Sequence, residues 1–558
     1  MKRVDILILL LFLVSSCARI VAPVGGAKDV EPPKSLSQIP KNLSTNFDTK
    51  VIKIVFDEYF TLNNPNDNII FSPPLNTPPT FTISGKSLMI KMSDTLLPNK
   101  TYNIVFSDAI RDFHEGNMLP LFHYTFATGS SFDSCSLSGK VINAKMLEPE
   151  VGIYAFLYEE DIDSLPTTTR PVYLTKTQKD GGFTFDHIAC REYKIFALKD
   201  INNNLIFDLP SEGIAFADKM EMSHLMEPTD SVSHAEDSIR KENRLRHLVE
   251  LSFFVQENTI QKLEKPKQTL KGQYTFIYKL PTTQFAADLL TEGKKQNYLE
   301  IINPTKDTIN WYFLEDIKDT IQYRLTYDGL HYDTITVAPY SEPAQSSGRG
   351  RKTEKSTSLT VTHRNAGNIY APFELKFSVP TRAIDSFPVR VVSNRRSGND
   401  TLFYYFAATD TFSASFPLVF PIEEKISYHL MILDSVFYGF NKMYNDTINI
   451  HFVAKSEKDY GNLIINYELT ENQSYVVSLL NAQNKEVQTD IINQSITITY
   501  LHLAPENYKI KVIEDKNSNG KWDTGNYTHK IQPERIFYVN KNIKIRGNWD
   551  LEETFKLD

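Results

Sequence analysis

Residues 183–208, FTFDHIACREYKIFALKDINNNLIFD, align without a gap to residues 498–523, ITYLHLAPENYKIKVIEDKNSNGKWD. Ten of the 26 positions are identical, where ordinary residue usage gives about two by chance. One module therefore occurs twice, far apart, and the chain must fold as a series of units arranged around that repeat. Each copy ends in a loop that alternates acidic and amide side chains. These are Asp200, Asn202, Asn204 and Asp208 in the first copy, and Asp515, Asn517, Asn519 and Asp523 in the second.

The 558 residues leave room for roughly four or five domains. The chain is 41% hydrophobic with 28 Tyr and 35 Phe, ample for several cores, and has only 22 Gly. Its many short β-branched and aromatic runs predict an all-β chain of tandem β-sandwiches. The net charge of −8 is spread along the sequence, which argues against nucleic acid as a partner.

The start, MKRVDILILLLFLVSSC, has a charged head at Lys2 and Arg3 and a short apolar stretch from Ile6 to Val14. That stretch is too short to span a bilayer and fits a signal peptide over 1–16. Its VSSC ending resembles a bacterial lipobox, which implies a diacylglycerol on the Cys17 thiol, cleavage before it, and effectively permanent membrane anchoring. An ordinary secretory signal cut nearby is the alternative. No later stretch is long and apolar enough for a transmembrane helix. Cys135 and Cys190 are then the two cysteines left for a disulfide outside the cytoplasm. The second copy has Pro505 where the first has Cys190, so the module does not need a bridge and free thiols are expected.

Residues 17–35 read as a Pro/Gly-containing lipidated tether. In 36–128, VIKIVFDEYF places Ile52, Ile54 and Phe56 on one face, and TFTISGKSLMIKM reads as a hairpin turning at Gly85-Lys86. The pieces IVFDEYF, LPNKTYNIVF, DFHEGN and FHYTFATG resemble the bacterial Ig-like domain of S-layer and envelope proteins. Residues 133–257 hold the first repeated module. SLSGKVIN, VGIYAFLYE, GGFTFDHI and EYKIFALKD resemble the prealbumin-like sandwich of carboxypeptidase regulatory-like domains, with a polar insertion at 219–247. Two further β domains follow at 258–345 and 366–455, separated by the basic Ser/Gly-rich loop SEPAQSSGRGRKTEKST, read as solvated. The second repeated module is 459–558.

The whole order resembles the lipid-anchored Ig-like-domain proteins of the Bacteroidota. The stretches carrying this are GGAKDVEPP, IVFDEYF, KDYGNL and DKNSNGKWDTGNY with the tail that follows. The resemblance implies an envelope lipoprotein of the outer membrane, with the membrane as one partner through the lipid and another envelope protein or glycan as a second. No acidic run of the surface-export kind follows Cys17, which favours the periplasmic face.

For chemistry, the Asp/Asn loops come first. Oxygen donors at positions 1, 3, 5 and 9, with Gly520 at 6 and the backbone of Lys521 at 7, suit calcium. An EF-hand would end in Glu at position 12, and Asn526 stands there instead. Any affinity should therefore fall in the weak range, about 10⁻⁴ to 10⁻³ M. The competing reading is a turn in which Asp and Asn side chains accept backbone N–H groups. No HExxH, GxSxG, Walker or CxxC pattern occurs. His187 and His502 match across the repeat but read as structural, and His114-Glu115 is a pair common by accident. The expectation is a non-catalytic scaffold or protein-binding role. A hydrolase using distant carboxylates is one alternative. A carbohydrate-binding or adhesive protein is another, and would need an aromatic platform from Trp311, Trp522 or Trp549.

A third pattern is Asp-Ser/Thr-apolar, at Asp94, Asp163, Asp230, Asp237, Asp307, Asp319, Asp333, Asp400, Asp434 and Asp446. It resembles the Bacteroidota O-glycosylation signal. The acceptors would include Thr95, Thr308, Thr320, Thr334, Thr401 and Thr447. The bland reading is that Asp-Thr-Ile hands a turn over to a strand.

Overall fold

The computed structural model describes residues 29–120, 122–226, 248–257, 261–268, 270–291, 296–340, 358–383, 387–395, 398–406, 412–440, 442–470, 473–539 and 541–557. The signal peptide, Cys17, tether residues 17–28, insertion residues 227–247 with Asp230 and Asp237, and the basic loop 341–357 lie outside the described residues. Among the described residues, helix is confined to Pro65–Asn68, Leu165–Thr168 and the 3-10 turn Glu457–Asp459. All other regular structure is strand, arranged as tandem β-sandwiches. The chain divides into two compact units, one of Met1–Gln256 with Thr524–Pro533, the other of Glu257–Asp523 with Glu534–Asp558.

The first unit begins with a sandwich. One sheet runs in the order Ser35–Ile39, Val51–Phe56, Ser87–Lys91, Thr80–Ser84, and the other is Ile69–Ser72, Thr101–Phe106, Phe122–Ala127. Ile52, Ile54 and Phe56 alternate into the core, fully buried beside Leu88, Ile90, Ile104 and Phe126. The hairpin closes at Ser84 opposite Ser87, around Gly85 at φ +59°. The expected start at residue 36 is corrected: Asn117 Nδ2 donates to the carbonyls of Asp29 and Glu31, and Lys34 N donates to Asp57 Oδ1. The last residues assigned to the tether thus belong to this domain.

The first repeated module follows. Its inner strand Cys135–Asn143 pairs antiparallel with Gly182–Ile188 and parallel with Val249–Val255. The second layer runs Tyr173–Lys176, Tyr154–Tyr158, Glu192–Leu198, Gly213–Phe216. Pairing of Gly213 with Val255 and Ile214 with Phe254 joins the two layers. Two expectations are corrected here. Cys135 and Cys190 are bonded, with Cα atoms 5.2 Å apart. Pro505 showed that the module can be built without the bridge, which does not forbid one where geometry brings two thiols together in an oxidising compartment. The insertion also begins later than residue 219. Glu221–Met222 pairs with Glu192 and Tyr193, and His224–Leu225 pairs with Cys135 and Ser136. The second copy has the same element at Ile543–Lys544, opposite Asn507 and Tyr508.

In the second unit, two three-stranded sheets, one centred on Thr308–Phe313 and the other on Ile321–Thr326, enclose Trp311, Phe276 and Leu325. The next sandwich packs the sheet around Phe373–Ala383 against the four strands Gly398–Phe406, Phe387–Arg395, Ser427–Ile432, Ile448–Val453, over Leu375, Val391 and Leu430. The second repeated module reproduces the first. Gly461–Leu469 pairs antiparallel with Ile496–Leu503 and parallel with Asp550–Leu557. Its other layer is Glu486–Ile492, Ser474–Leu480, Asn507–Asp515, Ile536–Tyr538.

Candidate functional site

The residues shared by the two copies acquire a common explanation. His187 and His502 sit at matching register breaks, where the strand that bears the histidine carries one residue more than the inner strand it pairs with, and both have positive φ, +54° and +56°. They are the left-handed residues of a β-bulge. His187 Nδ1 contacts the carbonyl of Asp133 at 3.2 Å, and the His502 ring stacks on Tyr370. Tyr193 and Tyr508 are buried, and their hydroxyls donate to the carbonyls of Ala189 and Ala504, four residues back in each copy. Burial pushes both phenols far above their ordinary range.

The two Asp/Asn loops are built alike. Asp200 accepts N–H groups from Asn204 and Leu205, at 3.3 and 2.8 Å. Asp515 accepts them from Asn519 and Gly520, at 3.0 and 2.8 Å. The amides of Asn202 and Asn204 donate to Asp208, and those of Asn517 and Asn519 donate to Asp523. Asn519 Oδ1 accepts the N–H of Lys521, as Asn204 Oδ1 accepts that of Ile206. Positions 4 and 6 are left-handed in both: Asn203 and Leu205, Ser518 and Gly520. Leu205 holds without glycine's freedom the conformation that Gly520 adopts freely.

A fifth side chain closes each loop. Glu212, fully buried, accepts Ile201 N on Oε1 and both Asp208 N and Leu209 N on Oε2. Glu534, also buried, accepts Lys516 N on Oε1 and Asp523 N on Oε2. The Trp522 indole donates to the Glu534 carbonyl. Sequence spacing missed Glu534 because ten residues, 524–533, intervene where the first copy has three. The available signal was an acid just ahead of a strand in both copies, Glu212 before Gly213–Phe216 and Glu534 before Ile536–Tyr538. Burial pushes the Glu534 carboxyl above its ordinary range, and the charges of Asp523 and Asp515 push it further.

Elsewhere, Asp112 is the working residue of DFHEGN. Its buried carboxylate accepts the N–H groups of His114, Glu115 and Asn117 at 2.6, 2.6 and 2.9 Å. Burial pushes this acid up, but those backbone donors outweigh it and hold the group below the ordinary range. His114 and Glu115 lend only main chain to this turn. Trp311 is fully buried and its indole donates to Glu300. Trp549 is exposed, with Arg546 5.3 Å from its ring. Among the described residues, no three His, Cys, Asp or Glu side chains form a metal-binding group.

Of the Asp-Ser/Thr acceptors, Thr95, Thr320, Thr334, Thr401 and Thr447 are exposed. Thr308 is half-buried and donates its hydroxyl to Asp307. Thr320 and Thr447 each stand immediately before a strand, at Ile321 and Ile448.

No curated protein matches this chain. Among solved structures, the chain is similar to the S-layer protein rSbsC, with 11% identity, 92% of this chain and 67% of that one covered, and a TM-score of 0.14. It is similar also to the major pilin subunit of Bacillus cereus, BcpA, with 9% identity, 75% and 98% covered, and a TM-score of 0.14. A biofilm-associated protein domain gives 9% identity, 90% and 96% covered, and a TM-score of 0.12. Residues 29–128, the sandwich that Asn117 ties to Asp29 and Glu31, match the family model of the bacterial Ig-like domain.

Proposed function

We propose that this chain is a non-catalytic envelope lipoprotein, anchored through Cys17 on the periplasmic face of the outer membrane, that serves as a scaffold or protein-binding module. The observation that carries this reading is the use made of buried acids. Asp112, Glu212, Asp515 and Glu534 all accept backbone N–H groups from their own turns. Their lone pairs fix loops and do not converge on a cleft, whereas acid–base catalysis needs a carboxyl presented to substrate. The positions shared by the repeat are likewise makers of bulges, corners and turns. Fractionation tests the anchor: Cys17→Ala should release the protein from membranes or leave an uncleaved precursor. A variant that still matures and pellets with membranes overturns the lipoprotein reading. Crosslinking in cells, followed by purification and mass spectrometry, should recover a defined envelope protein. Failure to recover one overturns the binding role.

Two properties accompany this proposal. The exposed acceptors Thr95, Thr320, Thr334, Thr401 and Thr447 carry O-glycans, so the intact mass of protein from its native host should exceed that of the lipidated polypeptide. The Asp/Asn loops bind calcium weakly. The hydrogen bonds already close each loop, so a cation is not needed for the turn to form. Its electrostatic motive is the trio Asp515, Asp523 and Glu534, whose mutual repulsion a divalent ion would relieve.

A further inference from the structure

The exposed face of one sheet in the second unit places two imidazoles on adjacent strands. His429 on Ser427–Ile432 and His451 on Ile448–Val453 are direct cross-strand partners. Their rings stack with centroids 3.9 Å apart and planes 10° from parallel. His429 Nε2 lies 3.0 Å from Oδ1 of Asn449, the next residue along that face of the neighbouring strand. Met431 is the direct partner of Asn449, so its thioether stem belongs to the same face. His451 and Asn449 are exposed and His429 is half-buried.

We propose that His429, His451 and Asn449 form an open site for a borderline divalent transition metal, with copper(II) the ion held most tightly. Neutral imidazole is the commonest metal ligand. Two imidazoles with an amide oxygen are a nitrogen and oxygen set suited to the tetragonal geometry of copper(II), and the general affinity order places copper above zinc at such a site. Metal–nitrogen bonds run about 2.0–2.1 Å. Two donors bound side by side at such distances therefore stand roughly 3 Å apart, which is the present separation of His429 Nε2 and Asn449 Oδ1. The metal would take the place of the hydrogen between those atoms, with the imidazole proton moving to Nδ1, so His429 stays neutral. The stacked rings need to tilt until both present a nitrogen to one ion, a rotamer adjustment open to surface side chains. Water or a donor from a partner fills the remaining positions. Arg390 is the partner of Met431 on the strand beyond, which sets it diagonal to His429 on the side away from His451.

The test is titration of the purified full chain with copper(II) in a non-coordinating buffer, followed by electron paramagnetic resonance. The first equivalent should show two imidazole nitrogens. His429→Gln and His451→Gln should each leave one nitrogen and weaken binding by at least about tenfold, since loss of a ligand should matter no less than loss of a second-shell partner. Asn449→Ala should weaken it less, and zinc should bind more weakly than copper. His363→Gln, at another exposed histidine, should leave the first equivalent unchanged. A spectrum and affinity untouched by His451→Gln, or equally lowered by His363→Gln, overturns the site. The variants change surface side chains, and unchanged circular dichroism separates loss of binding from loss of fold.

Discussion

The two copies of the repeated module share strand order, bulge histidine, tyrosine corner and Asp/Asn loop, yet they are fastened differently. The first copy has the Cys135–Cys190 bond and a continuous path of strands, because Gly213–Phe216 pairs with Val249–Val255. The second has Pro505 in place of the cysteine and separate three- and five-stranded layers. Its loop is also split: Asp523 and Glu534 are bonded through Asp523 N at 2.9 Å while 524–533 belong to the first unit. There Tyr527 is buried among Phe196, Phe207 and Phe216, with Lys530 3.6 Å from its ring. Gly525 approaches the Phe254 ring so closely that a Cβ would stand 2.6 Å from it. The framework is thus fixed by the shared residues, while the fastening is free to vary.

The largest expected effect separates the copies by redox state. The bond closes a loop with a sequence separation of 55, for which loop entropy gives up to about 4 kcal/mol. Reduction, or Cys190→Ala, should raise hydrogen exchange across 135–255 and leave 461–523 and 534–557 unchanged, the segment 524–533 belonging to the first unit. Equal effects on both copies would break the comparison. Next, Tyr527→Ala should destabilise the first unit by about 3 kcal/mol, in the range for a large buried aromatic, although residue 527 lies in the sequence of the second copy. Exchange that rises only in the second unit would contradict the assignment.

Third, Asp515→Ala should cost about 2 kcal/mol by removing the buried carboxylate that accepts the N–H groups of Asn519 and Gly520. Asp200→Ala should cost less, because Asp200 is half-buried where Asp515 is 1% exposed. Denaturant unfolding of the paired variants checks the order, which is reversed if the first loop is the more tightly built. The smallest effect is calcium. At 1 mM and a Kd near 10⁻⁴ M, a ligand confined to the folded state adds about 1.4 kcal/mol. Glu534→Gln should abolish the calcium response of the second loop while keeping an acceptor for Lys516 N. Identical melting in calcium and in chelator, with protein shown to be metal-free, leaves both loops as hydrogen-bonded turns.

Alternation was legible wherever a strand has one buried face, as at Ile52, Ile54 and Phe56, and the Gly85-Lys86 turn followed from its spacing. The loop carboxylates were legible too, because Asp and Asn at intervals of two act locally. Glu534 was hidden because its partners lie across an inserted segment, and Asp112 because a His-Glu pair beside it drew the chemistry. The disulfide depended on spatial proximity that two cysteines 55 residues apart do not announce. The strand at Glu221–Met222 was obscured by polar residues, since it adds to a sheet edge where burial is partial.

The placement of Tyr527 has a consequence for biogenesis. A chain synthesised from its N-terminus assembles most of the first unit early, but the aromatic ring that completes the cluster of Phe196, Phe207 and Phe216 is delivered only after 257–523 have been made. Until then that cluster lacks a wall and offers apolar surface to any chaperone on the route. A ribosome that stalls before residue 524 leaves a product flawed near its beginning, so a check on the integrity of the N-terminal half also reads whether translation reached the far end.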